Sequence, residues 1–319
     1  MSRVSLRYTQ GADAALDRPA HVRAASGLAR TRAGLALVQD DANFIAIVSD
    51  DGALVRAMPL PAGEGGMRQF DDTRGNKAHK LDLEACVVVE DEGDELLLAF
   101  GSGSTSRREW VVLMQGLDSE SPDVSAVYAP LLYEALRREH AFAGSELNIE
   151  GAVYLGARLR LFGRGNGAIR GGVRPVNASC DLDWTKLRAH LRDPWHNAPP
   201  GPSAIVRYEL GALDGVPLSF TDAAVWGAGG DAVLYSAAAE DSPDAVRDGR
   251  VAGSAIGIIG VAGETRWAPL VQESGEIFPG KVEGLAPVPQ SRNHLHVVAD
   301  ADNPSEASVL FTVELRGVW

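Results

Sequence analysis

Five times along the chain a small polar or acidic residue is followed by Gly or Ala and then by an apolar run. The segments are Ala25-Ser26-Gly27-Leu28, Leu83-Glu84-Ala85-Cys86, Ile149-Glu150-Gly151-Ala152, Thr221-Asp222-Ala223-Ala224 and Val282-Glu283-Gly284-Leu285. Aligned on Ser26, Glu84, Glu150, Asp222 and Glu283, they are separated by 58, 66, 72 and 61 residues, so five units account for the chain. Each motif opens a short strand, then a turn, then a more hydrophobic strand: 35–38, 95–100, 158–162, 232–236 and 294–298. Polar loops follow, beginning at Asp40, Gly101, Gly163, Ala238 and Asp300. A unit of up to four meandering strands is a propeller blade, whose sheet buries both faces against its neighbours.

The pattern therefore predicts an all-β fold, a five-bladed β-propeller made of one domain over residues 1–319. Gly27, Ala85, Gly151, Ala223 and Gly284 suit inner strands crowded around an axis. Ring closure requires the chain ends to share a blade, with Val4 to Tyr8 adding a strand beside Val309 to Leu315. The units exceed a minimal blade. Two insertions read as short helices: Leu131 to His140, entered through Pro130, and Trp184 to Leu191, with Asp183 as N-cap. A six-bladed ring follows if the long third interval hides a degenerate unit, and a two-domain β protein if the repeat is accidental.

Composition agrees with a globular β protein: 45% of residues are hydrophobic, and Gly 35 and Pro 17 supply turns. Cys86 and Cys180 have no neighbouring Cys or His at metal-site spacing, so they read as plain buried thiols. There is no long apolar run and no signal-peptide core near Arg3 and Arg7, which makes the cytoplasm the expected compartment and a membrane partner unexpected. A net charge of −13 argues against nucleic acid and for cation capture, although acidic surfaces also serve solubility. Oligomeric state is not legible.

In an up-and-down blade the inner strand starts on the face where the second strand ends, so motifs and polar loops converge. The candidate metal ligands are Ser26, Glu84, Glu150, Asp222 and Glu283. Above them come Asp40, Asp41, Asn43, Ser102, Arg164, Asn166, Glu240, Asp241, Asp300, Asp302 and Asn303. Carboxylates this close need protons or a counter-cation. Ca2+, which takes six to eight oxygens in flexible geometry, suits a five-fold ring better than Mg2+. Lys80 and Lys281 beside a water-filled channel are the simpler alternative. Lys77, Lys80, Arg107, Arg108, Arg164 and Lys281 with a divalent ion would suit a phosphorylated or otherwise anionic small molecule.

The stretch from Ser26-Gly27-Leu28 through Leu35-Ala36-Leu37-Val38-Gln39-Asp40-Asp41 to Phe44-Ile45-Ala46-Ile47-Val48 resembles the first blade of the five-bladed, calcium-activated apyrases. The resemblance implies that Ser26, Glu84 and Glu150 surround a central Ca2+, with Asp40 and Asp41 above it. The Glu-Gly-Leu and Glu-Gly-Ala motifs are also similar to those of the esterase-like phytase propellers. The chain departs from the apyrases in lacking their leader and in placing Asp222 where a Ser is expected.

The expected function is thus a Ca2+-dependent hydrolase of phosphoester or phosphoanhydride bonds. Glu84, Glu150, Glu283 and Arg164 are its catalytic candidates; Asp40, Asp41, Lys80, Arg107, Asn166 and Lys281 are its substrate contacts. A non-catalytic, Ca2+-stabilised binding propeller is the rival, and a two-carboxylate glycosidase a third class. Other signals are weaker. The loop from Gly101 to Ser106 lacks the ending of a phosphate loop, Gly163 to Gly167 fails as a dinucleotide motif, and His294 and His296 read as a partly exposed strand face.

Overall fold

The computed structural model describes residues 3–227, 232–242, 249–261, 263–301 and 303–317. After β1 (Arg3–Ser5), one blade consists of β2 (Ala25–Thr31), β3 (Gly34–Gln39), β4 (Phe44–Val48) and β5 (Val55–Pro59). The second is β6 (Leu83–Asp91), β7 (Asp94–Gly101), β8 (Trp110–Gln115) and β9 (Asp123–Tyr128). Two short helices, α1 (Pro130–Arg138) and α2 (His140–Ala143), lead into the third blade: β10 (Ile149–Tyr154), β11 (Arg158–Gly163), β12 (Asn177–Asp183), α3 (Trp184–Arg192) and β13 (Ser203–Tyr208).

The fourth blade has five strands, β14 (Ala212–Leu213), β15 (Val216–Trp226), β16 (Ala232–Asp241), β17 (Arg250–Ile259) and β18 (Thr265–Pro269), with β15 innermost. The fifth contains β19 (Lys281–Pro287), β20 (His294–Asp300) and β21 (Val309–Glu314), and β1 completes it by pairing Val4 with Leu310. All the pairings are antiparallel. The inner strands touch in the cycle β2, β6, β10, β15, β19 and back to β2, which closes a five-bladed ring and removes the six-bladed alternative.

What holds the ring is a hydrophobic wedge between each pair of blades. Val38, Ile45, Leu97 and Val112 fill the first gap, and Phe162, Phe220 and Tyr235 the third. The second gap is the largest because α1, α2 and α3 insert Leu132, Tyr133, Phe142, Trp184 and Leu187 into it. Pro130 occupies the first turn of α1, and the Asp183 carboxylate caps α3 by accepting from the Lys186 N–H at 2.9 Å. The last gap joins Leu28 and Val298 with Leu6, Val22 and Leu310. Both cysteines are buried and free. No helix of the described residues is long and apolar enough to cross a membrane.

Candidate functional site

The repeated motif owes its geometry to a β-bulge. In four inner strands one extra residue interrupts the register: Ser26, Glu84, Glu150 and Glu283. A bulged residue leaves the ladder and its side chain is re-aimed, here toward the mouth of the channel. All four line one cavity of about 100 Å³.

The fourth blade departs from the expected alignment by one position. Its register shifts between Phe220 and Asp222, so Thr221 is the counterpart of the glutamates, and its hydroxyl is turned to Ser236 Oγ at 2.9 Å. Asp222 instead pairs with Ser236, as Gly27 pairs with Val38 and Gly284 with Val298. It therefore occupies the small-residue position, and its separations from the motifs on either side are not those of the repeat. A Cβ on Gly27 would come 2.9 Å from Val38 Cγ2, and one on Gly284 2.9 Å from Leu28 Cβ, so this position is crowded by its own blade and the next.

The Asp222 carboxylate reaches beyond its own blade. It accepts from the N–H groups of Ala223 at 2.7 Å, Leu285 at 2.8 Å and Leu28 at 3.3 Å, in blades 4, 5 and 1. Blades 4 and 1 are not neighbours, so the side chain spans the axis. Burial pushes its carboxyl well above the usual range, against the pull of the three N–H donors. Asp222 is thus absent from the cavity wall.

Around the mouth, the loops after the second strands bring Asp40, Asp41, Arg164, Asn166, Asp300 and Asn303 to the wall, while the segment between the first two blades adds Lys77, Lys80 and Asp82. Asp82 adopts a left-handed backbone (φ 58°), a conformation Asp tolerates better than most residues, and this bend sets its carboxylate beside Lys80. Lys80 Nζ lies 2.6 Å from Asp40, 2.9 Å from Asp41 and 2.8 Å from Asp82. Arg108 meets Asp82 from the other side at 3.0 Å.

Across the cavity, Arg164 bridges Glu150 (3.2 Å) and Glu240, and Lys281 bridges Glu283 (2.6 Å) and Glu240 (3.4 Å). Glu240, next to last in β16 and just behind the wall, supplies the fourth blade's share of charge. Lys281 and Arg164 hold it down to about 2 in spite of burial.

Several acceptors facing this space have no donor. Among the described residues, Asp40 Oδ1, Glu150 Oε2, Asn166 Oδ1 and Glu283 Oε2 are buried without a hydrogen-bond partner. Buried polar atoms are ordinarily satisfied, so a wall of orphaned acceptors calls for protons, a cation or a donor-rich ligand. Burial pushes Glu283 up to about 8 although Lys281 opposes the rise. Burial also raises Glu84 well above its usual range, helped by Asp40, Glu150 and Asp82. Asp41 rises to about 6 through burial and the neighbouring Asp40. Asp82 runs the other way: Lys80 and Arg108 outweigh its burial and hold it low.

Of the expected site residues, Ser26, Asp40, Asp41, Lys80, Glu84, Glu150, Arg164, Asn166, Lys281 and Glu283 share the one cavity. The Ser26 hydroxyl is already engaged, donating to the Leu83 carbonyl at 2.5 Å. Arg107 is exposed and absent from the wall. Asn43 donates to the Pro61 carbonyl, Ser102 Oγ to Asp82, and Asp302 lies outside the described residues. His296 is buried, not exposed as its strand pattern suggests.

Ligand spacing moves the candidate cation site off the axis. Among the described residues, the carboxylates whose oxygens approach within 4.8 Å of one another are Asp40, Asp82 and Glu84, between blades 1 and 2. Sequence reading missed Asp82, although its place two residues before Glu84 carried a signal. It missed Arg23 and Asn148 as well, which line the cavity from outside the repeat.

Residues 21–315 match the family of unknown function DUF6929. Among solved structures, a GH43 β-1,3-galactosidase is similar with a TM-score of 0.51 at 9% identity, over 97% of this chain and 58% of that one. Myxococcus xanthus glutaminyl cyclase gives a TM-score of 0.44 at 10% identity, over 99% of this chain and 96% of that one. Bacillus subtilis arabinanase gives 0.43 at 11%, over 93% and 94%. At such identities the likeness is one of fold. These are a cyclase and glycoside hydrolases, not apyrases or phytases, and what stands of the resemblance drawn from short motifs is the five-bladed propeller. No curated protein matches the chain.

Proposed function

Because the chain belongs to DUF6929, a family of unknown function, its activity must be read from its own side chains, and from them we propose a Ca2+-dependent hydrolase of phosphoester or phosphoanhydride bonds. The observation that carries the reading is the acceptor-rich cavity with three carboxylates at ligand spacing. Asp40, Asp82 and Glu84 would hold the ion; oxygen donors in an adaptable loop setting fit Ca2+ better than the stricter Mg2+. When bound, the ion would polarise a phosphoryl oxygen and lower the pKa of an attacking water.

The remaining steps fall to the protein. Glu150, whose Oε2 has no donor, can take a proton from the attacking water. Glu283, whose carboxyl burial pushes up to about 8, is the group suited to giving a proton to the leaving oxygen. Arg164 and Lys281, locked against carboxylates, face the transferring group in fixed positions. The cavity of about 100 Å³ has room for a phosphoryl group beside these side chains.

A panel of nucleotides, inositol phosphates and aryl phosphates, assayed for phosphate release with Ca2+ and with EDTA, tests this. Release should require Ca2+ and drop at least about a hundredfold in Glu84→Gln, which removes a ligand of the ion. If Ca2+ raises the melting temperature but nothing on the panel turns over, the second reading takes over: a binding propeller that the ion stabilises. One observation favours that rival. Arg23, Lys80, Arg108, Arg164 and Lys281 are each already paired with a carboxylate, which leaves little free positive charge for phosphate.

A further inference from the structure

The three carboxylates at ligand spacing already have a cation among them. Lys80 Nζ stands 2.6 Å from Asp40 Oδ2 and 2.8 Å from Asp82 Oδ1, which are separations close to those a metal ion would take. An ammonium and a divalent ion cannot both sit there. Yet the site is not satisfied by Lys80 alone, since Asp40 Oδ1 is buried without a donor. Beyond the trio, Glu150 Oε2 and Glu283 Oε2, on residues only 2% and 6% exposed, also face the cavity unpartnered. Even with Arg108 3.0 Å from Asp82, Arg164 on Glu150 and Lys281 on Glu283, the cations around this wall leave acceptors unserved.

We infer that Lys80 is a resident counter-ion that competes with a hard divalent cation for the oxygens of Asp40, Asp82 and Glu84. The inference deepens the proposed function and rests on its cation site. Lys80 is suited to this by its attachment. It follows a single turn of 3-10 helix (Lys77–His79) in the long segment between blades 1 and 2, not a strand of the ring, so its side chain can withdraw without disturbing the sheet ladder. The cavity it borders gives it somewhere to go. Without a divalent ion, Lys80 keeps the carboxylates from repelling one another; with one, it is released and becomes a free positive charge at the mouth. Displacement thus answers the shortage of unpaired cations for an anionic ligand.

Two measurements on the full chain test the competition. In the first, Ca2+ is titrated by calorimetry into the wild type and Lys80→Met, with Mg2+ in parallel. The variant should bind Ca2+ at least about tenfold more tightly, since the tethered competitor is gone. In the second, the wild type is treated with an amine-acylating reagent, and labelling at Lys80 and Lys281 is followed by mass spectrometry. Ca2+ should increase labelling at Lys80 and leave Lys281 unchanged. Equal or weaker affinity in the variant, or unchanged Lys80 labelling at saturating Ca2+, overturns the competition while the cation site stands. Binding by the variant alone upholds the competition and removes the Ca2+-dependent activity. Binding by neither protein removes both. If Lys80→Met fails to fold, the labelling of the wild type decides.

Discussion

At the residue scale, Asp222 shows how a residue that aligns with a site can serve the ring instead. Inner strands of a propeller have a free edge whose N–H groups face the channel, and each such group costs about 1–3 kcal/mol if buried without an acceptor. Asp222 serves three of them. Asp222→Ala should therefore lower the unfolding free energy by about 3 kcal/mol or more, whereas Asp222→Asn, which retains one carbonyl oxygen, should lose less; chemical denaturation reads both. A loss within experimental error for the alanine variant would mean that water replaces the carboxylate at no cost. The same residue marks a limit of sequence reading. An acid followed by small and apolar residues fits the repeat whether it is the bulge or the position after it, and the Ala-Ala that follows Asp222 tolerates either register. Strand pairing alone distinguishes Thr221 from Asp222. Glu84, Glu150 and Glu283 were legible because a carboxylate set before Gly or Ala in an otherwise apolar strand is too costly to bury unless protons, cations or donors await it.

At the scale of elements, the five inner strands and their hydrophobic partners were visible because a polar residue, a small residue and an apolar run recur, and the strands are buried almost continuously on both faces. The connecting segments were not. Arg23 and Asp82 reach the site from irregular chain, and no periodicity marks a loop residue. Strand β20 offers an example where alternation misleads. His296 shares a face with His294, yet it lies 3% exposed against blade 1, with neither ring nitrogen hydrogen-bonded among the described residues.

Burial, and next Arg30, lower the pKa of His296 from 6.5; Asp50 opposes them. The unfolded chain therefore takes up a proton near 6.5 that the folded one refuses. Stability should fall as the pH drops below that value, by at most about 1.4 kcal/mol per pH unit, and level off below the folded pKa. Urea midpoints at pH 7.5 and 5.5 should differ more for the wild type than for His296→Gln. Equal differences would show that this seam does not titrate.

For the whole molecule, stability is spread over five wedges of hydrophobic packing, and the chain ends matter because one wedge depends on them. Leu6 is fully buried there, and its backbone bonds to Ser308 and Val22 stitch the start of the chain to the fifth blade and to the segment that enters the first. Leu6→Ala should cost about 2–5 kcal/mol, the range for emptying a packed core position, and should loosen the ring at its closing blade first. Hydrogen exchange would show this as faster exchange in β19, β20 and β21 than in β10, β11 and β12. Uniform acceleration would instead indicate that the ring opens only as a unit.

The carboxylate that crosses the axis also acts as a clasp. By accepting from the inner strands of blades 4, 5 and 1 at once, Asp222 fastens three blades with a single side chain. Parting the ring between any two of them has to break at least one of its bonds.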